Sequence, residues 1–205
     1  MLTEQKIYSQ KLEEVYILRA CAQLGRYPES GGRYLDVGAW NAFSMSNTRA
    51  LFDLGWSGVM VEPSPLPFAS LTKEYGSVPR VELINAAVVL DDIAEVEMHV
   101  SEDAISTTEE ANYEKWKDVA RFDAKITVPA ITLERIFEKY GDFDFVNIDT
   151  EGTSTDLLHR MLSLGARPKA ICVEHDGRTT EILAAVTELG YACTYANGEN
   201  LVLVR

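Results

Sequence analysis

Apolar residues recur along the chain in two alternating rhythms. Between about residues 5 and 24, Tyr8, Leu12, Val15, Leu18 and Ala22 follow the spacing of a helix face, and Gly25 stops the pattern. Tyr34–Val37 then predicts a buried strand, and "SMSNTRALFDLG" predicts a helix closing at Gly55. Gly58–Glu62 predicts a second strand. "PLPFASLTKEYG" opens on prolines that suit a helix entrance and closes at Gly76. Val81–Asn85 predicts a third strand. From about 88 to 129 no period holds, except for the alternating run "EVEMHV", which predicts an extra strand before the polar loop "SEDAISTTEEANYEKWKD". Helices follow near Leu133–Tyr140, Thr155–Leu164 and Thr179–Leu189, separated by the strands "FDFVNID" and "AICVE". The chain ends in "YACTY" and "LVLVR", joined through Asn197-Gly198, a hairpin signal.

Strands alternating with helices imply an α/β fold, a mostly parallel sheet with helices on both faces. No repeat or linker divides the chain, so residues 1–205 are expected to form one domain. It would carry an N-terminal helical segment at about 3–25 and a lid-like insertion at about 88–129. Long aperiodic segments in compact domains serve as lids or binding loops, or hang as surface insertions.

Charge narrows the partners. The chain has 32 acidic and 19 basic residues, a net charge of −13, and no run of basic residues. Nucleic acid and anionic membranes require clustered Lys and Arg, so neither is expected as a partner. The cysteines Cys21, Cys172 and Cys193 are far apart and form no zinc-type cluster. The opening "MLTEQKIYSQKLEEVY" has charges where a signal peptide needs its apolar core. These features predict a cytoplasmic protein. Oligomeric state is not legible.

In open parallel sheets, ligands bind beyond the carboxyl ends of the strands. Five acidic residues stand there: Asp36, Glu62, Asp149, Glu151 and Glu174, with His175 beside the last. Glu62, ending the second strand, suits the two hydroxyls of a ribose. Asp36 and Gly38 form a strand-to-helix turn with few glycines. A pyrophosphate would meet repulsion from Asp36, whereas S-adenosylmethionine carries an ammonium, a sulfonium and no phosphate.

These residues carry a family resemblance. The Asp36-x-Gly38-Ala39 turn, "GWSG" before the second strand and "EPSP" after it, "LINAAVV", "ITLERIF", "NIDTEG", "CVEH" and "ELGY" resemble the FkbM-type S-adenosylmethionine-dependent methyltransferases over nearly the whole chain. "YSQ" at Tyr8–Gln10 is similar to a segment preceding the domain in one branch. The resemblance implies a class I methyltransferase fold with strand order 3-2-1-4-5-7-6, the last strand antiparallel. It also implies methyl transfer to a hydroxyl, often of a sugar or polyketide. By position, Asp36, Gly38 and Ala39 would line the methionine part of the cofactor, together with Asn41. Glu62 and the adjoining Pro63 would hold the ribose, Asn85 and Ala86 would flank the adenine, and Asp149 would face the reacting methyl. Asn147 stands where many relatives have Lys, Ser154 where a Glu often follows, and Ala42 where Gly is frequent.

An alcohol acceptor must lose its proton as the methyl arrives. Asp149, Glu151 and His175 are the candidate bases. Asp149 and Glu174 offer instead a site for a divalent cation such as Mg²⁺. Glu151, before Gly152, also suits a helix cap, and His159 and His99 read as structural. Tyr113 and Trp116 would either stack on a sugar or anchor the long loop. The expected partner is a small-molecule or glycan acceptor. A nicotinamide-dependent oxidoreductase and a non-catalytic cofactor-binding module are the alternatives.

Overall fold

The computed structural model describes residues 7–23, 31–101 and 104–205. Its frame is a seven-stranded sheet. The strands are β1 (Arg33–Val37), β2 (Ser57–Val61), β3 (Val81–Ile84), β7 (Phe145–Ile148), β8 (Ala170–Glu174), β9 (Ala192–Ala196) and β10 (Asn200–Val204). They lie in the order β3-β2-β1-β7-β8-β10-β9. Numbered among themselves, these strands follow the expected order 3-2-1-4-5-7-6. β10 is antiparallel to both β8 and β9, and the other pairings are parallel. All four residues of β7 are buried, as a central parallel strand covered on both faces requires.

The period of two along each strand divides the core. Leu35, Val37, Val59, Val61 and Ile148 point to one face. There they pack on α5 (Leu133–Tyr140), α6 (Ser154–Ser163) and α7 (Thr179–Thr187). Tyr34, Met60, Phe145 and Val202 point to the other. There they meet α1 (Glu13–Gln23), α2 (Arg49–Asp53) and α3 (Pro65–Tyr75). Asp36 and Asn147 share this second face, so the period that builds the core also turns two polar side chains inward beside it. Among the described residues no helix is long and apolar enough to cross a membrane.

Three elements depart from the expected pattern. The helix predicted from Ser44 is only Arg49–Asp53. Asn41 Oδ1 accepts from the N–H groups of Phe43 and Ser44, Ser46 Oγ accepts from Arg49 N, and Met45 takes φ +56°. These side chains capture the backbone locally and defer the helix. Helix α1 begins at Glu13 rather than near residue 5. Its start is fastened reciprocally, with Glu14 N donating to Ser9 Oγ and Glu14 Oε2 accepting from Tyr8 N and Ser9 N. The expected helical residues 3–6, and 24–25 at the other end, lie outside the described residues.

The segment from 88 to 129 is not irregular. The predicted strand exists as β5 (Glu95–Ser101), followed by α4 (Glu110–Trp116) and the eleven-residue β6 (Phe122–Thr132). With β4 (Ala87–Val89) they form a three-stranded sheet in the order β4-β6-β5. Tyr113 stacks on His99 at 3.8 Å between ring centroids and meets Phe122 edge-on, so it anchors α4 to this sheet.

Candidate functional site

The carboxyl ends of β1, β2 and β7 open onto two adjoining hollows. The smaller, about 50 Å³, is walled by Gly38, Glu62, Pro63, Ala86, Met98 and Asp149, among others. The larger, about 380 Å³, is walled by Asp36, Ala39, Asn147, Glu174, Trp116 and Asn200, among others. Gly38, Trp40, Ala104, Asp149 and Glu151 border both. Ala104 and Trp116 come from the segment carrying α4, which therefore forms part of the wall over the sheet edge.

Gly38 sits at φ +84°, and a Cβ there would fall 1.7 Å from the carbonyl oxygen of Asp149. Only glycine lets the first loop and the end of β7 approach this closely. Gly38 N and Ala39 N both donate to Val61 O, which ties the same loop to β2.

Glu62 reaches across from β2. Its Oε2 accepts from Trp40 N at 2.9 Å, and its Oε1 accepts from Ser64 N at 2.7 Å. Burial pushes its carboxyl above the ordinary range, and these donors oppose the shift. An ionised carboxylate has about four acceptor sites, so Glu62 keeps capacity for a hydroxyl donor. Asn85 stands outside both walls. Its Nδ2 donates to Glu62 O and Pro63 O, so it braces the turn that holds Glu62. Asn41 likewise builds the first loop through its backbone contacts and lines neither hollow.

Asp36 is buried, and both its oxygens are engaged. Oδ2 accepts from Thr48 Oγ1 at 2.5 Å and Oδ1 from Asn147 Nδ2 at 2.8 Å. Burial raises its pKa against these two donors. Asn147 Oδ1 in turn accepts from Asn47 Nδ2 at 3.1 Å. Asn147 thus fills its position as the middle of a relay from Asp36 to Asn47.

Asp149, Glu151 and Glu174 each bring a carboxylate oxygen within 4.8 Å of the others. Burial first, and then the neighbouring carboxylates, push Asp149 well above the usual range. Glu151 rises to about 8, chiefly through burial and the Glu174 charge. Glu174 rises to about 7, chiefly through burial and the Asp176 charge. Asp149 and Glu174 face each other closely enough for the charge of each to oppose ionisation of the other. Ser154 Oγ donates to Glu174 Oε2 at 3.0 Å, which gives this departure from the family pattern a place in the cluster. The three carboxylates could also satisfy one another around a divalent cation.

Glu151 holds a left-handed backbone, φ +52°. Its carbonyl accepts from Thr107 Oγ1 and Asn112 Nδ2, both at 2.7 Å, and its N–H donates to Glu174 Oε2 at 3.1 Å. The insertion therefore fastens an acidic residue of the site in an unfavourable conformation.

The structure places His175 away from the acidic cluster's hollows. Its Nδ1 accepts from Gly177 N at 3.0 Å, and its Nε2 lies 3.3 Å from Asn197 O, so the ring is occupied in the β8–α7 and β9–β10 turns. Among the candidate bases, the acidic residues are brought together and the histidine is not. Sequence reasoning assigned Glu174 only to a cation. It missed Asn47, Thr48, Thr107, Asn112, Glu13 and Asn200, polar residues without a motif whose placement depends on distant elements.

Among the described residues lining the two hollows there is no Lys or Arg. Such acid-rich walls suit a cationic, phosphate-free cofactor and oppose a pyrophosphate.

The fold matches solved methyltransferases at low sequence identity. SAH-bound methyltransferase PaMTH1 of Podospora anserina superposes with a TM-score of 0.52 at 13% identity, over 96% of this chain and 79% of that one. Methyltransferase FkbM from Methylobacillus flagellatus KT gives 0.51 at 11% identity, over 96% of this chain but 56% of its own length. The chain thus spans little more than half of that relative. Among curated proteins none matches the chain in sequence. The methyltransferase FkbM domain model matches residues 36–193, from Asp36 near the end of β1 to β9, and the chain belongs to that methyltransferase family.

Proposed function

We propose that the chain moves a methyl group from S-adenosylmethionine to a hydroxyl of a sugar or a similar small polar acceptor. The observation that carries this reading is the Asp149–Glu151–Glu174 cluster beside Gly38. In it burial and neighbouring charge raise Glu174 to about 7. A base works best with a pKa near the operating pH, and a positioned one contributes roughly 10²–10⁴-fold.

S-adenosylmethionine supplies an electrophilic methyl on a sulfonium with a neutral leaving group. Glu62 would accept from the ribose hydroxyls, and the apolar wall of Ala86, Ala87, Val88 and Met98 would cover the adenine. Asp36, held by Thr48 and Asn147, would present its carboxyl toward the cofactor's cationic end. The carboxylate cluster takes the acceptor's proton as the new bond forms. Holding the oxygen in line beneath the α4 segment supplies the larger part of the rate, up to about 7–11 kcal/mol for well-oriented pairs.

The acid-lined walls favour a small neutral or cationic acceptor over nucleic acid or an anionic membrane. Three free cysteines accord with a reducing cytoplasm. The decisive experiment screens hydroxylated acceptors with labelled S-adenosylmethionine, with and without chelator, across pH. Turnover should rise through about pH 7, survive the chelator, and fall in Asp149→Asn while S-adenosylhomocysteine still binds. Turnover lost to the chelator and restored by Mg²⁺ would make the cluster a cation site. S-adenosylhomocysteine binding without methylation of any acceptor would leave a cofactor-binding module.

A further inference from the structure

At the end of the larger hollow away from Glu62, α1 and β10 meet in a polar corner that the transfer chemistry does not use. Glu13 is fully buried there, 0% exposed, and forms no ion pair among the described residues. Its Oε1 accepts from Asn197 Nδ2 at 2.7 Å and Asn200 Nδ2 at 3.2 Å, and its Oε2 accepts from Lys11 N at 2.8 Å. Asn200 is 4% exposed, and its Oδ1 has no hydrogen-bond partner. The orientation of this amide is dictated, because Nδ2 must face the Glu13 carboxylate, which leaves Oδ1 as the unpaired atom.

The same logic recurs along the wall. Asp36 orients Asn147, Asn147 orients Asn47, and Asn47 Oδ1 is left buried without a partner at 5% exposure. Glu13, Asn47 and Asn200 all line the same cavity. Two buried carboxylates therefore fix two amides so that each leaves a carbonyl oxygen, not an N–H, unpaired. An unpaired buried acceptor costs about 1–3 kcal/mol, so its retention points to a ligand that donates. Trp116 adds an aromatic wall to this cavity. Two lysines bound to lining residues are already engaged: Lys11 Nζ pairs with Glu199 at 2.7 Å, and Lys115 Nζ lies 4.7 Å from the Trp116 ring.

We propose that the Glu13–Asn200 corner of the cavity is a subsite for an ammonium group of the acceptor, so that the substrate is an amine-bearing polyol of the amino-sugar class. This rests on the reading of the chain as a methyltransferase acting on small polar hydroxyl compounds. The ammonium is the recognition handle: it donates to Glu13 and Asn200 while a hydroxyl of the same molecule faces the Asp149 cluster. A carboxylate- or phosphate-bearing acceptor meets the Glu13 carboxylate and the Asn200 carbonyl oxygen here, and no Lys or Arg among the described lining residues.

The test is calorimetric binding to the S-adenosylhomocysteine-loaded protein, which needs no turnover. The probes are matched: 2-amino-2-deoxyglucose, glucose and glucuronate. The amine should bind at least about tenfold more tightly than glucose, the scale of one charge-assisted hydrogen bond, and glucuronate most weakly. Glu13→Gln should abolish the preference while keeping S-adenosylhomocysteine affinity, and Asn200→Ala should reduce it. Equal binding of the three probes, a preference for glucuronate, or no binding of any probe would overturn the proposal. So would a loss of S-adenosylhomocysteine affinity in a folded Glu13→Gln protein, which would give the subsite to the cofactor. Methyl transfer to a hydroxyl without an amine preference would sink this inference and leave the proposed function standing. An amine preference without any methylation would do the reverse.

Discussion

Raising the pH should destabilise this protein from within, through the carboxylates at the end of β7 and β8. Glu151 and Glu174 start from an ordinary value of 4.5 and stand at about 8 and about 7 in the folded chain. Both are raised, so the native state holds more protons than the unfolded state between about pH 4.5 and 8. Their contribution is fully present below the unfolded value and is lost as pH rises through the folded values. One pKa unit is worth about 1.4 kcal/mol, so Glu174 alone costs about 3 kcal/mol once ionised. The cluster as a whole costs about 3–5 kcal/mol, because its members share repulsions that must not be counted twice. For a chain of this length that corresponds to a fall of roughly 6–20 °C in Tm between pH 5 and 8.5. The exposed acids Glu110 and Glu181 are shifted the other way, and their contribution changes only below the ordinary carboxylate range. Thermal and urea unfolding with chelator present, at half-unit steps from pH 5 to 8.5, would measure the slope. Glu174→Gln removes one titrating member, so the slope should flatten and the variant should gain on the wild type at pH 8.5. A wild-type stability that stays level or rises over this range would refute the reasoning. A slope unchanged in Glu174→Gln would assign it to general repulsion in a chain of net charge −13.

Gly38→Ala should destabilise the fold by more than about 2 kcal/mol. The new Cβ meets Asp149 O at 1.7 Å, and φ +84° adds the left-handed penalty of about 1–2 kcal/mol. Urea unfolding would show it, and a loss below 0.5 kcal/mol would mean the two loops are not packed as described. Glu62→Gln should weaken S-adenosylhomocysteine at least about tenfold by calorimetry, because a Gln amide presents donors where Trp40 N and Ser64 N already donate. Unchanged affinity would remove Glu62 from the ribose site.

The strands of the sheet were readable because each of the buried ones is a short apolar run closed by a turn, whereas their order came with the family resemblance. The acids at the carboxyl ends of those strands were readable with them, since Glu62, Asp149 and Glu174 follow directly from where each strand stops. Strand β6 was not. Phe122, Ala124, Ile126 and Val128 do alternate with polar residues, but Pro129 cannot donate to a ladder and interrupts the signal just before the run ends. Pairing decides the matter: Glu95 through Ser101 register along Pro129 back to Phe122, and a strand whose partner is distant in sequence need not announce itself locally. The same limit explains His175. Next to a strand-end acid it has the right chemistry for a base, yet the β9–β10 turn occupies its ring, and that turn lies over twenty residues on. Asp36 shows the converse. Its charge was legible and favoured a cationic cofactor, but the buried state of that charge depends on Thr48 and Asn147, one twelve and the other 111 residues away. In this fold the sequence period places side chains on a face. Which of them do chemistry is decided by what the crossing elements bring opposite them.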